Sequence, residues 1–516
     1  MGIDETNATS RLDAENFTHQ QITAIESIHT WLKRLRIHFA ASDDAALHYE
    51  SNLKRNSSSV YPHPFHAFRN QCGGLSESSS HETDPVRAAI RSIAIQNYPG
   101  LLIETHQNQR DLIRGSFHRN EAVVRLFREH PDFSSLFLST EILARSVLIV
   151  PTGGRLFQPD IVPDWIVLTA FMVSRIRGQQ NFGGYLEQVF HFLEVTRQLA
   201  SGKSVTVPVF HAFRQIGLPN SVKTKDGELR PMPQSAFGLF PKETWPHKSS
   251  DGKVFGIVYE TAIQISVLAQ AKYDYDWGSD DNDPFEEAIR PHRTKIKKTE
   301  IKLNREQQTI ESAVSLAGDR SPAVAALSAW RYVANPLQMD IVWRTASRSL
   351  PSPHWLTESE AKHLGFWIKK AKRFEGRLGI AQRRIQSALV NRNQPIDAFV
   401  DAIIAWDNLF GSKSGGEIRF RISMAIACLL ETDPNKRLEL QKEFQSLFDL
   451  RSDLVHGSKD TDAVEWPEIN KKKERSIEVI LECLRVLLRD HPSLLTDPDK
   501  ARKIIAGSTI ATEQSD

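Results

Sequence analysis

Residues 446–460 read SLFDLRSDLVHGSKD, and within them Arg451 stands five positions before His456. An arginine keeps its charge at every relevant pH, and a histidine titrates near neutrality. Together they can cleave an RNA phosphodiester without a metal. The guanidinium holds the phosphate charge while the imidazole moves protons.

The surrounding sequence predicts how these side chains are placed. Asp433-Pro434 is a helix start, an N-cap acceptor followed by proline, and Gly457 is a stop. Advancing about 100° per residue along this helix sets Leu440, Phe444, Leu447, Leu454 and Val455 on one apolar stripe, with Arg451 in its middle. A guanidinium there is costly unless it meets a carboxylate or an anionic ligand. Residues 396–410, IDAFVDAIIAWDNLF, supply such a carboxylate. Ile396, Phe399, Val400, Ile403 and Phe410 share a face, and Asp407 sits at its centre. One reading makes Arg451–Asp407 a buried ion pair that fixes helix register; another makes Asp407 the group that orients a phosphate-binding arginine. His456 ends its helix, where the macrodipole favours imidazolium. The offset separates the two side chains by about 140°, so one helix does not aim both at one phosphate. Two helices meeting at a dimer axis do. The plainer reading of His456 is a helix cap before glycine.

The rest of the chain sets the context. It has 516 residues, ordinary hydrophobic and charged fractions and a net charge of +2. Any nucleic-acid contact must therefore come from local patches. Three distant cysteines, Cys72, Cys428 and Cys483, build no disulfide framework and point to a reducing, cytoplasmic setting. No apolar leader or membrane-spanning run is present, and the myristoylation template fits Met1–Thr6 only loosely. Residues 20–42 read as an amphipathic helix, and 51–59 and 73–82 as polar linkers. Helices follow over 161–176 and 182–200. Strands are expected at Val205–Val209 and 255–263, with Pro-rich turns over 231–246. The acidic run 274–287 reads as a solvated loop because Gly278 is misplaced for an EF-hand. The basic run 290–305 reads as a solvated helix face or a nucleic-acid contact. PTGGRL at 151–156 is no phosphate loop, and His63, His66, Cys72 and His81 have only a loosely metal-like spacing, so neither metal nor cofactor is expected. Prolines in SRSLPSPHW mark a boundary between about 340 and 357. The predicted architecture is mainly α. A large, mostly helical N-terminal region with a few strands, 1–350, precedes a C-terminal antiparallel helical domain, 357–505.

The segments RRIQSALVNRNQPIDAF, DAFVDAIIAWDNLF, GGEIRFRISMAIACLLE and the helix ending LRSDLVHG, taken in this order, resemble the Apea-like branch of the HEPN superfamily over roughly 357–490. That resemblance implies an all-α bundle that dimerises, often as a metal-independent endoribonuclease. In such a site the 2′-hydroxyl attacks the adjacent phosphate and leaves a 2′,3′-cyclic phosphate. By the same resemblance Arg451 binds phosphate and His456 is the acid/base. Asp407, in Trp406-Asp407, takes the place of the family's Leu-Glu carboxylate. Ser452 stands where many nuclease members carry Asn, Asp or His. This departure keeps a second reading open, a non-catalytic HEPN module that dimerises or binds nucleic acid. Arg419, Arg421, Lys459, Lys471, Lys472 and Lys473 are candidate nucleic-acid contacts; the alternative readings pair Arg419 and Arg421 with Glu417 and make Lys471, Lys472 and Lys473 a solvated helix start. RNA and a second copy of the chain are the implied partners, residues 1–350 a sensor of an unknown trigger, and antiviral defence or toxicity the implied biology.

Overall fold

A computed structural model describes residues 23, 82–97, 121–138, 146–179, 181–272, 284–318, 323–343, 352–392, 394–411, 417–456 and 465–507. The expected helix over 20–42, the polar linkers up to His81, the His63–His81 group, Gly457 and Lys459 fall outside these residues or nearly so. The molecule is mainly helical, with several sheets.

Two helices, α1 (Pro85–Asn97) and α2 (Glu121–Glu129), precede a hairpin of β1 (Ser146–Val150) and β2 (Gly153–Phe157). Gly153, at φ 142°, makes its turn, so PTGGRL is a hairpin corner. Helices α3 (Val162–Arg177) and α4 (Phe182–Ala200) follow close to the sequence expectation. Asn181 caps α4 by accepting from the Gly184 N–H at 2.6 Å. The strands are β3 (Val205–Arg214), β4 (Ile216–Gly217), β5 (Val222–Lys223), β6 (Glu228–Pro231), β7 (His247–Lys248), β8 (Val254–Ile265) and β9 (Ala269–Lys272). β3, marked by alternating valines, and β8, marked by its richness in β-forming residues, pair antiparallel from Val205–Ile265 to Arg214–Gly256. After α5 (Pro284–Ile289) and α6 (Arg293–Ala317) come β10 (Leu327–Val333), β11 (Asp340–Trp343) and β12 (His354–Trp355). The main sheet runs β11-β10-β3-β8-β6-β5, with β7 beside β8; β2-β1-β9 form a smaller one. Residues 284–287, expected to continue the acidic loop, instead open α5. Pro284 starts that helix, and Glu286 and Glu287 in its first turn suit the dipole.

Glu358 begins an almost wholly helical segment: α7 (Glu358–Arg373), α8 (Glu375–Gln386), a π-helical turn (Ser387–Asn391), α9 (Pro395–Phe410), α10 (Ile418–Leu430), α11 (Pro434–Val455), α12 (Trp466–Asp490) and α13 (Lys500–Ile505). Thr357 starts α7 with a reciprocal capping box. Its Oγ1 accepts from the Glu360 N–H at 3.2 Å, and Glu360 Oε2 accepts from the Thr357 N–H at 2.6 Å. Asp433 caps α11, accepting from Asn435 and Lys436 at 2.9 and 3.0 Å.

Two hydrophobic cores meet at the main sheet. One joins α1–α4 to Val207, Val209, Ala329 and Tyr332. The other joins Phe213, Ile257 and Tyr259 to α6 and α7 and runs on through α9–α13. The C-terminal helices therefore share a core with the sheet that precedes them. No helix among the described residues is long and apolar enough to cross a membrane.

Candidate functional site

α11 buries Phe444, Leu447, Phe448 and Leu454, while Val455 is 48% exposed. The apolar stripe therefore ends one residue before the sequence arithmetic places its end. Arg451 lies half-buried on this helix. Its Nε is shut away from solvent and has no hydrogen-bond partner among the described residues. Asp407 lies half-buried on α9. Burial pushes its carboxyl above the usual carboxylate range, and the nearby Arg451 guanidinium offsets only part of that. The two groups thus feel each other electrostatically, as the facing stripes imply. They make no ion pair within 4.0 Å among the described residues, which corrects the expected direct pair. The reason lies in Trp406. Its buried indole packs edge-on to Phe444 and Phe448 at 5.6 and 5.7 Å and donates to Ser476 O at 3.0 Å. That bulk sets the α9–α11 spacing and keeps the two charges apart.

His456 is exposed at the end of α11, where its backbone N–H donates to Ser452 O at 2.9 Å. The half-buried arginine and exposed histidine match the angular offset between them. Ser452 Oγ accepts from Arg419 Nη2 at 3.1 Å, and Arg419 Nη1 lies 3.0 Å from Asp449 Oδ1. Arg419 thus ties α10 to α11 and does not pair with Glu417. Arg421 is half-buried, and its backbone N–H donates to Glu417 O at 3.0 Å. Beside this tie lies a depression of about 530 Å³ lined by Glu417, Ile418, Arg419, Phe420 and Gln445. On α12, Lys471 is exposed, Lys472 lies 3.0 Å from Glu468, and Lys473 donates to Asn470 at 3.1 Å. The structure thus gathers Asp407, Arg419, Arg451 and Ser452 where α9, α10 and α11 meet. It leaves Lys472 and Lys473 engaged with their own helix.

Two titratable groups escape the sequence reading. Asp401, 2% exposed, accepts from Arg384 at 2.5 Å and from Ser387 and Arg392 at 2.7 Å each. Burial raises its pKa, but the bonds from Arg392, Ser387 and Arg384 more than offset this and hold it below the usual range. The only signal was an aspartate inside the apolar FVDAII. In the main sheet, His211 is 1% exposed and its Nε2 lies 3.5 Å from Glu306 Oε2; burial pushes this imidazole down. Nothing in its sequence surroundings marks it. No group of three or more metal-ligating side chains occurs among the described residues. Comparison of the chain with known protein families, with curated proteins and with solved structures finds no match.

Proposed function

We propose that this chain is a metal-independent endoribonuclease of HEPN type, with α9–α12 as its antiparallel bundle and a homodimer completing its site. The observation that carries this reading is Arg451, a half-buried guanidinium whose Nε has no acceptor among the described residues and which feels Asp407 without an ion pair to it. A phosphate at the solvent-facing part of this half-buried guanidinium would offset the cost of enclosing its charge. In the reaction, the RNA 2′-hydroxyl attacks the neighbouring phosphorus and the bond to the 5′-oxygen breaks. Arg451 stabilises charge on the phosphate, His456 moves the proton, and Asp407 orients Arg451. Arg419 and Lys471 extend the contact to the strand.

The exposed position of His456 at the end of α11 supports a dimer. Val455, next to His456 at the end of α11, and Trp466, the first residue of α12, are 48% and 57% exposed. A second copy seated on such apolar side chains would cover them while bringing its own His456 near Arg451. Residues 1–350 are then the sensor or restraint of a cytoplasmic effector in defence or toxicity. The test is cleavage of RNA by the purified chain in EDTA. The wild type should yield 2′,3′-cyclic phosphate ends, and His456→Ala should lose about 10²-fold or more in rate. Equal cleavage by both proteins removes His456 from the reaction.

One observation favours a second reading, a non-catalytic HEPN module that dimerises or binds nucleic acid. Ser452 Oγ, next to the motif arginine, is engaged by Arg419. Under that reading the wild type binds RNA and leaves it intact.

A further inference from the structure

The first half of α6 presents a row of cations with no acid set among them. At about 100° per residue, Lys295, Lys298, Lys302 and Arg305 fall within an arc of about 80°, along about 15 Å of helix. All four are exposed. Lys295 and Lys298 make no ion pair among the described residues. The one exposed acid of this stretch, Glu300, lies about 140–160° round the helix from the row. Glu306 is turned inward: it is 13% exposed, accepts from Thr261 at 3.2 Å and lies beside buried His211, so it reaches Lys302 only at 3.9 Å. A merely solvated helix face mixes both signs and pairs them at four-residue spacing; here Lys302 reaches Glu306 at 3.9 Å, while Lys295 and Lys298 have no ion-pair partner among the described residues.

The apolar side chains of the same stretch argue against a lipid surface. Leu303 is buried within the protein, Ile296 is half-buried, and Ile301 alone among them is exposed, at 39%. A helix that lies in a membrane interface needs a broad free apolar face. We propose that this cationic row is a docking surface for the phosphate backbone of a nucleic acid, gripped by charge and not by base sequence. The proposal does not depend on chemistry at His456.

The test measures binding of a labelled single-stranded RNA and the same-sequence DNA by anisotropy between about 50 and 200 mM salt. The full-length chain is used in a His456→Ala background, so that the probe survives. Each phosphate contact adds about 0.7 to the slope of log affinity against log salt. Lys295→Glu/Lys298→Glu/Lys302→Glu should therefore lower the slope by about 2 and weaken binding about tenfold or more. Far-UV circular dichroism confirms that the exposed helix persists in the variant. A charge-matched pair locates the surface: Lys298→Glu should lower the slope, and Lys297→Glu, about 120° from the row's centre, should not. Loss in both RNA and DNA arms supports a backbone surface. The proposal is overturned by an unchanged slope in the triple variant, by equal losses in the matched pair, or by tighter binding to phosphatidylserine vesicles than to either nucleic acid.

Discussion

Asp401 and Asp407 share one helix and titrate in opposite directions. Asp401 is nearly sealed and accepts three hydrogen bonds that hold it ionised; Asp407 is half-buried with only a stand-off arginine. The sign of each pH effect follows. The folded-state pKa of Asp407 is raised, so the fold prefers it protonated. Its destabilising effect sets in as pH rises past the unfolded value near 4 and is complete above the folded one. Asp401 is depressed, so its stabilisation is present above the unfolded value and is lost as pH falls through the folded one. Asp407→Asn should therefore raise stability at pH 7, with the gain vanishing near pH 4. Asp401→Asn should cost about 1–3 kcal/mol at pH 7 and less in acid. Urea unfolding at the two pH values checks both. A loss of stability in Asp407→Asn at pH 7 would mean that Arg451 outweighs burial. Asp407 was legible in the sequence because a regular helix carries its face to α11. Asp401 was not, because two of its partners, Ser387 and Arg392, sit within and just after a π-helical turn that breaks the angular count.

Elements with a local cause were legible, and elements made by their neighbours were not. Asp433-Pro434 started α11 where the cap chemistry required, and alternating valines marked β3. Strand β10 gave no such mark. Its central residues are buried throughout because core side chains pack against Ala329, Trp330, Tyr332 and Val333 and Asn304 of α6 meets Arg331, so no polar alternation remains to read. The capping box at Thr357 is local too, and it starts the helical segment that carries the candidate site. Thr357→Ala removes the acceptor for the Glu360 N–H and should cost about 1 kcal/mol of unfolding free energy, while Thr357→Ser should cost little. Denaturant midpoints at unchanged slope check this. Equal losses for both would place the effect in the lost methyl group rather than in the cap.

Across the whole molecule, the sequence boundary near 350 and the physical core do not coincide. Pro353 stands directly before β12, yet β12 returns to pair parallel with β4. Trp355 lies so close to Gly217 there that a Cβ on the glycine would stand 2.3 Å from the indole. Beyond it, Leu364, Trp367 and Phe374 are buried in a core that also holds Phe213, Ile257, Tyr259 and Ile310. Arg485 of α12 fastens the same junction by donating to the carbonyls of Ser315, Leu316 and Gly318 at the end of α6. Each large apolar side chain uncovered by cutting here forfeits about 1.5–3 kcal/mol, and a few such losses rival the total stability of a domain. A fragment of residues 357–505 should therefore bind a hydrophobic dye and melt well below the full chain. One beginning at residue 284, which keeps α6, should recover part of the difference. Thermal unfolding of the three proteins at equal concentration decides it. If 357–505 alone melts sharply at the temperature of the full chain, the bundle is autonomous, and the sheet has no thermodynamic hold on the helix that carries Arg451 and His456.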